Sequence, residues 1–129
     1  MSYFLVKASL KRGQNAKLKK ESFVVKSDDL IAAEQITTTN LISVDSQVSI
    51  TDINLKNYKD VFTTVDNTGP FYELFIEWED QESKVIKESY LQQAGNTVES
   101  EAFLITNVGD YFEVVSNKKT TISDYFIGE

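Results

Sequence analysis

The chain is written twice, and that repetition limits what it can fold into more than any other feature does. Lys20-Glu21-Ser22-Phe23-Val24 returns as Lys87-Glu88-Ser89-Tyr90-Leu91. Before each copy stands a stretch of alternating apolar and polar residues. After each comes a helical stretch and then a strand, closing on Asp60-Val61-Phe62 in the first case and on Asp124-Tyr125-Phe126 in the second. A period near half the chain marks two copies of one supersecondary unit.

The local patterns give the unit its elements. Phe4, Val6, Ala8 and Leu10 alternate with Tyr3, Leu5, Lys7 and Ser9, the period of two expected of a strand with one buried face. Lys11 to Lys17, with Gly13 and Asn15, reads as a hairpin turn. The return strand runs from Lys19 to Lys26, with Phe23 and Val25 on one face and Val24 on the other. Ser27-Asp28-Asp29 offers side-chain oxygens to free helical N–H groups, so a helix is expected from there to about Asn40, with Leu30, Ala33, Ile36 and Leu41 as its apolar stripe. Thr37 to Thr39 weaken its end, because β-branching restricts rotamers in a helix. Val48, Ile50 and Ile53 form a third strand, and Tyr58, Val61 and Phe62 finish the unit.

The second half follows the same plan. Tyr72, Leu74, Ile76 and Trp78 take the places of Phe4, Val6, Ala8 and Leu10, and Val85 to Leu91 returns after a slightly shorter turn. Asn96 or Thr97 caps a helix to about Asn107, with Asn96-x-x-Glu99 approximating a capping box. Tyr111 to Ser116 is the third strand and Ile122 to Ile127 the closing segment. Between the halves, Asp66-Asn67-Thr68-Gly69-Pro70 reads as a plain connector. The expected fold is α+β: two tandem β-β-α-β repeats packed about a pseudo-twofold axis, mainly antiparallel sheet with two short helices. The repeats cover 1–64 and 71–129, joined by residues 65–70. A unit of this size with so short a helix is marginal alone, so 1–129 is expected to form a single domain.

Composition removes much chemistry. There is no histidine and no cysteine, so the usual general base, the commonest zinc ligand, thiolate sites and disulfides are all excluded. The five glycines are isolated, so no phosphate-cradling loop exists. Glu82-Ser83-Lys84 with Asp66 or Asp80 faintly suggests a metal-dependent nuclease, and Glu77 and Glu79 beside Trp78 suggest paired carboxylates for glycoside chemistry. A hairpin tip is a poor platform for the first, and an exposed face opposite a buried Trp is the simpler account of the second. The expectation is therefore a protein that is not an enzyme and uses neither metal nor cofactor. Met1 to Lys7 has no basic leader and reads as a first strand, and no apolar run nears the roughly 20 residues needed to cross a bilayer. A cytoplasmic protein without membrane attachment is expected.

Charge separates what the repeat makes alike. Residues 1–65 hold nine basic and seven acidic residues, net +2; residues 66–129 hold four basic and thirteen acidic, net −9, which together give the total of −7. Lys7, Lys11, Arg12, Lys17, Lys19, Lys20 and Lys26 make the first hairpin basic, while Glu77, Glu79, Asp80 and Glu82 make the second acidic. These charges have four readings. They solvate the hairpin edges; the unlike hairpins meet, within a chain or head-to-tail between chains, giving a homo-oligomer; the basic hairpin tracks single-stranded nucleic acid, with Tyr3 and Phe23 stacking on bases; or the acidic half imitates phosphates to occupy a DNA-binding protein. Repeat interfaces also make natural clefts.

The opening Tyr3-Phe4-x-Val6-Lys7, the return strand Lys19-Lys20-x-Ser22-Phe23-x-Val25, the helix starts around Ala32-Ala33-Glu34 and Glu99-Ser100-Glu101-Ala102, and the two closures ending in Phe62 and Phe126 are read together. In combination they resemble a domain-of-unknown-function family found in Bacteroidetes and in the crAss-like phages that infect them. The chain departs from that pattern at Phe71-Tyr72-Glu73-Leu74-Phe75, which lacks a basic residue beside its aromatics. The resemblance implies a phage or mobile-element setting and no reaction. The functional expectation is a binding protein of such origin, with single-stranded nucleic acid on the basic hairpin as the most specific ligand. The alternative is an interaction or anti-defence protein that sequesters a host or phage protein, or a signalling nucleotide, through the acidic half or the cleft between repeats.

Overall fold

A computed structural model describes residues 1–128. The chain is α+β, with two four-stranded, mainly antiparallel sheets and two helices. The elements follow the order β1 (Ser2–Leu10), β2 (Lys19–Ser27), α1 (Leu30–Leu41), β3 (Ser49–Lys56) and β4 (Tyr58–Phe62). Then the same order recurs as β5 (Phe71–Glu79), β6 (Val85–Gln93), α2 (Thr97–Val108), β7 (Glu113–Lys119) and β8 (Ile122–Ile127). Each half is thus β-β-α-β-β, the closing segment being a strand in its own right. Among the described residues no helix is long and apolar enough to cross a membrane.

The closing strands change places. One sheet has the order β3-β1-β2-β8 and the other β7-β5-β6-β4, so each half's last strand lies parallel to the return strand of the other half. The compact units are accordingly residues 1–57 with 122–129, and residues 58–121. The boundary falls before Tyr58, not at the connector, and residues 65–70 lie inside the second unit. There they are tightly held: Ala94 N–H donates to the Pro70 carbonyl (3.1 Å), and the Gln93 amide donates to the Gly69 carbonyl (3.0 Å).

The repeated Asp-x-Phe closures now have a physical reason. Each Asp sits where the pairing register shifts, and its Oδ1 accepts the N–H of the next residue, Val61 at 2.9 Å and Tyr125 at 2.8 Å. A carboxylate there satisfies a backbone donor close to where the ladder is interrupted. Each Phe then lies nearly parallel to the aromatic of the neighbouring return strand: Phe126 on Phe23 (centroids 5.4 Å, 16°) and Phe62 on Tyr90 (6.1 Å, 16°). Phe23 faces Val6 across its hairpin, as Tyr90 faces Leu74, so the two hairpins correspond in register.

Each helix covers one face of its own sheet. Asp29 caps α1 by accepting from Ala32 N–H (2.7 Å). The stripe that α1 buries is Ala33, Thr37 and Leu41, spaced by four, while Leu30 is exposed. Thr37 is accommodated there because its hydroxyl donates to the Ala33 carbonyl (2.8 Å). Asn96 caps α2 by accepting from Glu99 N–H (2.8 Å), and the Glu99 carboxylate reaches back to Gly95 N–H (3.1 Å), one residue before the position an ideal box would use. Under α1 lie Phe4, Val6 and Val25, then Ala8, Leu10 and Phe23; under α2 lie Tyr72, Leu74, Ile76 and Tyr90. The strand faces turned from the helices are buried as well, at Tyr3 and Val24 and at Phe71 and Leu91.

Candidate functional site

The exchange of closing strands sorts the charge. Residues 1–57 with 122–129 hold eight basic and eight acidic residues, and residues 58–121 hold five and twelve, so the whole net charge of −7 resides in the second unit. Within each unit the open hairpin end frames a cavity.

At the first hairpin the cavity, about 300 Å³, is lined by Leu10, Arg12, Ala16, Lys17, Lys19 and Glu21. Arg12 is spoken for: its Nε and a terminal nitrogen grip the two Glu21 oxygens at 2.6 and 2.9 Å, and Ser123 Oγ donates to the same carboxylate (2.8 Å). The guanidinium holds the Glu21 carboxyl below its ordinary range, with the Ser123 hydroxyl bond acting the same way. Strand alternation divides the remaining cations. Lys17 and Lys19 border the cavity, while Lys7 and Lys20 project from the opposite face of the sheet. Lys26 lies over the Tyr3 ring, 5.6 Å from its centroid, and Lys11 is exposed with its N–H bound to Asp45 Oδ2 (2.8 Å).

The two aromatics expected to stack on bases are not available. Phe23 is 0% exposed, packed among Ala8, Leu10, Leu41 and Phe126, and Tyr3 is 7% exposed against Tyr125 and Lys26. Phe23 points to the helix-covered face, where apolar burial claims it. Tyr3 points to the opposite face, which the sequence alternation marks as solvent and which is in fact buried there. The seven cations therefore do not form one stripe with aromatics between them.

The second hairpin end is built differently. A cavity of about 260 Å³ is lined by Glu77, Trp78, Glu79, Val85, Tyr111 and Glu113. The Tyr111 ring stands edge-on to Trp78 (centroids 5.3 Å, 89°), giving two walls at a right angle. Trp78 is held by its indole N–H, which donates to Glu88 Oε1 (2.9 Å), while Glu88 Oε2 lies 3.8 Å from Lys59 Nζ. Phe112 meets Tyr111 edge-on in turn (5.5 Å, 87°). Gly109, at φ 112°, ends α2, and a Cβ there would lie 3.2 Å from the Tyr111 ring, so the absent side chain makes room for the wall. Burial, reinforced by the Tyr111 hydroxyl and Glu88, raises the Tyr90 hydroxyl well above the ordinary phenol range.

The carboxylates here carry a cost. Glu77 faces Glu113 on β7, and like charges directly opposite on neighbouring strands repel. Lys87 faces Glu77 from β6, yet none of Glu77, Glu79 and Glu113 closes an ion pair with a described residue. Asp80 does something else: its Oδ1 accepts from Glu82 and Lys84 N–H, both at 2.9 Å, which folds the turn through Ser83 at φ 61°. Its carboxylate shapes the hairpin instead of meeting a partner, and the Glu82-Ser83-Lys84 triplet is the turn itself, with Glu82 at the exposed tip. Among the described residues no cluster of three or more acidic side chains could hold a metal ion.

Sequence reasoning placed Glu77 and Glu79 at this site and missed Tyr111, Glu113 and Glu88. Tyr111 and Phe112 precede β7, which begins at Glu113, so they belong to a loop and not to the expected strand. The available signal was Gly109-Asp110-Tyr111, a helix-ending glycine followed closely by an aromatic. The chain matches no protein-family model and no curated protein sequence.

Proposed function

We propose that this chain is a non-enzymatic binding protein whose second hairpin end captures a cationic group, an ammonium or guanidinium, of a partner. The observation that carries this is the pair of perpendicular rings, Trp78 and Tyr111, bordered by Glu77, Glu79 and Glu113 around one cavity. A cation over an aromatic face gains about 0.5–1 kcal/mol at an exposed site and about 2 when desolvated. The carboxylates at the rim, which close no ion pair with a described residue, add attraction. A unit charge of −7 steers cations toward the site before contact. The family resemblance would place such a module in a phage, where its partner is a host or phage protein.

The nucleic-acid reading keeps only its electrostatic half. Lys11, Lys17, Lys19 and Lys20 remain exposed, but with Tyr3 and Phe23 buried no base-stacking platform accompanies them.

Trp78 is the sole tryptophan, so its fluorescence reports on the cleft. Titration with a short Arg- and Lys-containing peptide at low salt is expected to give a saturable change that a Gln-substituted peptide does not give. Tyr111→Ala, and Glu79→Gln with Glu113→Gln, should each weaken it at least tenfold. A response that never saturates, or is equal for both peptides, refutes the reading.

A further inference from the structure

We propose that the second unit carries a separate site, an uncharged pocket beside α2 that binds a nucleobase with an exocyclic amino group, presented as a neutral nucleoside. The pocket holds about 210 Å³ between the C-terminal half of α2 and the segment that follows β4. That is below the about 300–1,000 Å³ of pockets that take drug-sized ligands, so it admits one ring system and little else. None of the residues lining it is ionisable, although the unit around it carries the whole net charge of −7. It shares no lining residue with the carboxylate-rimmed cavity at the hairpin end.

The helix supplies one wall. Phe103, Thr106 and Asn107 are three and four residues apart and so share a face of α2. Phe103 is 36% exposed, and a flat ring laid on it gains the stacking that every base offers to an aromatic. The floor decides what the edge of that ring must carry. Gln92 is buried with both ends of its amide engaged: Nε2 donates to the Gln93 carbonyl (2.9 Å), and Oε1 accepts from Asn107 Nδ2 (2.9 Å). The second bond orients the Asn107 amide and leaves its Oδ1 an acceptor with no partner among the described residues. Thr106 Oγ1 donates to the Ala102 carbonyl (3.1 Å), so it has only lone pairs left to offer. Two neighbouring acceptors select a ring whose edge bears N–H donors.

The opposite wall is stiff. Thr64 N–H donates to Gln93 Oε1 (3.0 Å), Thr68 N–H donates to Thr64 Oγ1 (3.0 Å), and Gln93 Nε2 donates to the Gly69 carbonyl (3.0 Å). Val65 follows the first of these anchors and is fully exposed, an apolar side chain that the chain's own packing leaves bare. A ring seated between Val65 and Phe103 covers both. A rim already held in place loses little freedom on binding. The negative charge of the unit opposes a phosphate, which makes the nucleoside and not the nucleotide the expected ligand.

The test is an amide-resolved NMR titration of the full chain with adenosine, with cytidine, with adenosine dimethylated on its exocyclic amino group, and with adenosine monophosphate. Adenosine and cytidine are expected to shift the amides of residues 103–107 and of Thr64 and Val65 saturably. Dimethylation removes the donors and the phosphate adds charge, so each should weaken adenosine binding about tenfold. Phe103→Ala should weaken it at least about fivefold, the low end of base stacking on an aromatic. Thr106→Val, at an exposed position, should weaken it as well with an unchanged melting temperature, which separates loss of the site from loss of the fold. Saturating adenosine should leave the Trp78 fluorescence response to the basic peptide as it was. Absence of a saturable shift with both nucleosides, shifts confined to the hairpin end, equal binding of the dimethylated compound, or binding of the monophosphate as tight as that of adenosine overturns the inference. Each of these outcomes leaves the cation reading of the hairpin end to its own peptide titration.

Discussion

Phe126→Ala tests the exchange of closing strands directly. By chain order Phe126 belongs to the second half, yet its ring lies 5.4 Å from Phe23 and packs under α1 with Phe4, Val25 and Leu41, all in the first half. A fully buried Phe→Ala costs about 3–5 kcal/mol. Phe126 is only partly buried, so part of that transfer is not lost, but the ring pair adds about 0.5–1.5 kcal/mol. The expected loss is about 2–3 kcal/mol, a fall of roughly 10 °C in melting temperature for a chain of this size. The location of the loss matters more than its size. In native-state hydrogen exchange, amides of β1 and β2 should lose protection by about 2–3 kcal/mol, whereas Phe62→Ala should produce the corresponding loss in β5 and β6, where Phe62 stacks on Tyr90. Loss confined to β5 and β6 in Phe126→Ala would refute the exchange and return each closing strand to its own half.

Two further outcomes follow from single residues. Tyr58 is pushed upward by burial and by its hydrogen bond to Glu73 Oε2 (2.6 Å), and Tyr90 by burial first, so both stay protonated in the folded chain above their ordinary value of 10.0. Their contribution is complete below about pH 10 and declines as pH rises further, because only the unfolded chain ionises them there; chemical denaturation that gives equal stability on both sides of that pH, or a Tyr58→Phe variant with an unchanged profile, would contradict this. Gly69 sits at φ 101° with the Ala94 carbonyl 3.0 Å from where a Cβ would stand, so Gly69→Ala should cost about 1–3 kcal/mol in urea melts, and a neutral substitution would show that the segment is the loose connector its composition suggests.

What the sequence made legible was local. Alternation in Phe4 to Leu10 and in Tyr72 to Trp78 gave the hairpins, and Asn96 gave the start of α2, because each depends on a few neighbouring residues. The partner of each closing strand did not follow, since Asp60-Val61-Phe62 and Asp124-Tyr125-Phe126 carry the same signals and either could pair with either return strand. Assigning Tyr3 to an exposed face failed for a related reason. Period-two patterning separates the two faces of a strand but does not say that only one is buried, and here Val24 and Leu91 are buried opposite the helix. At the site, Glu77 and Glu79 were visible as charge; Tyr111 was not, because its value comes from a Trp 33 positions earlier that stands at a right angle to it.

The exchange also bears on why the charge contrast persists. Two similar halves that trade closing strands must tell each other apart from an identical neighbour, because a closing strand that pairs with another chain's return strand gives a swapped oligomer instead of a closed monomer. The core surfaces that receive these strands are alike, Phe23 for Phe126 and Tyr90 for Phe62, so they supply little discrimination. The hairpin ends are where the halves differ, with Lys17 and Lys19 at one and Glu77, Glu79 and Glu113 at the other. Opposite charge on like scaffolds therefore marks the place where the two halves can be told apart. Association through the hairpin ends and strand exchange between copies predict opposite kinetics: the first dissociates at once in high salt, and the second persists until the chain unfolds. A jump from low to about 1 M salt followed by light scattering separates them, and an assembly that survives the jump and disappears only on melting would assign it to exchanged strands.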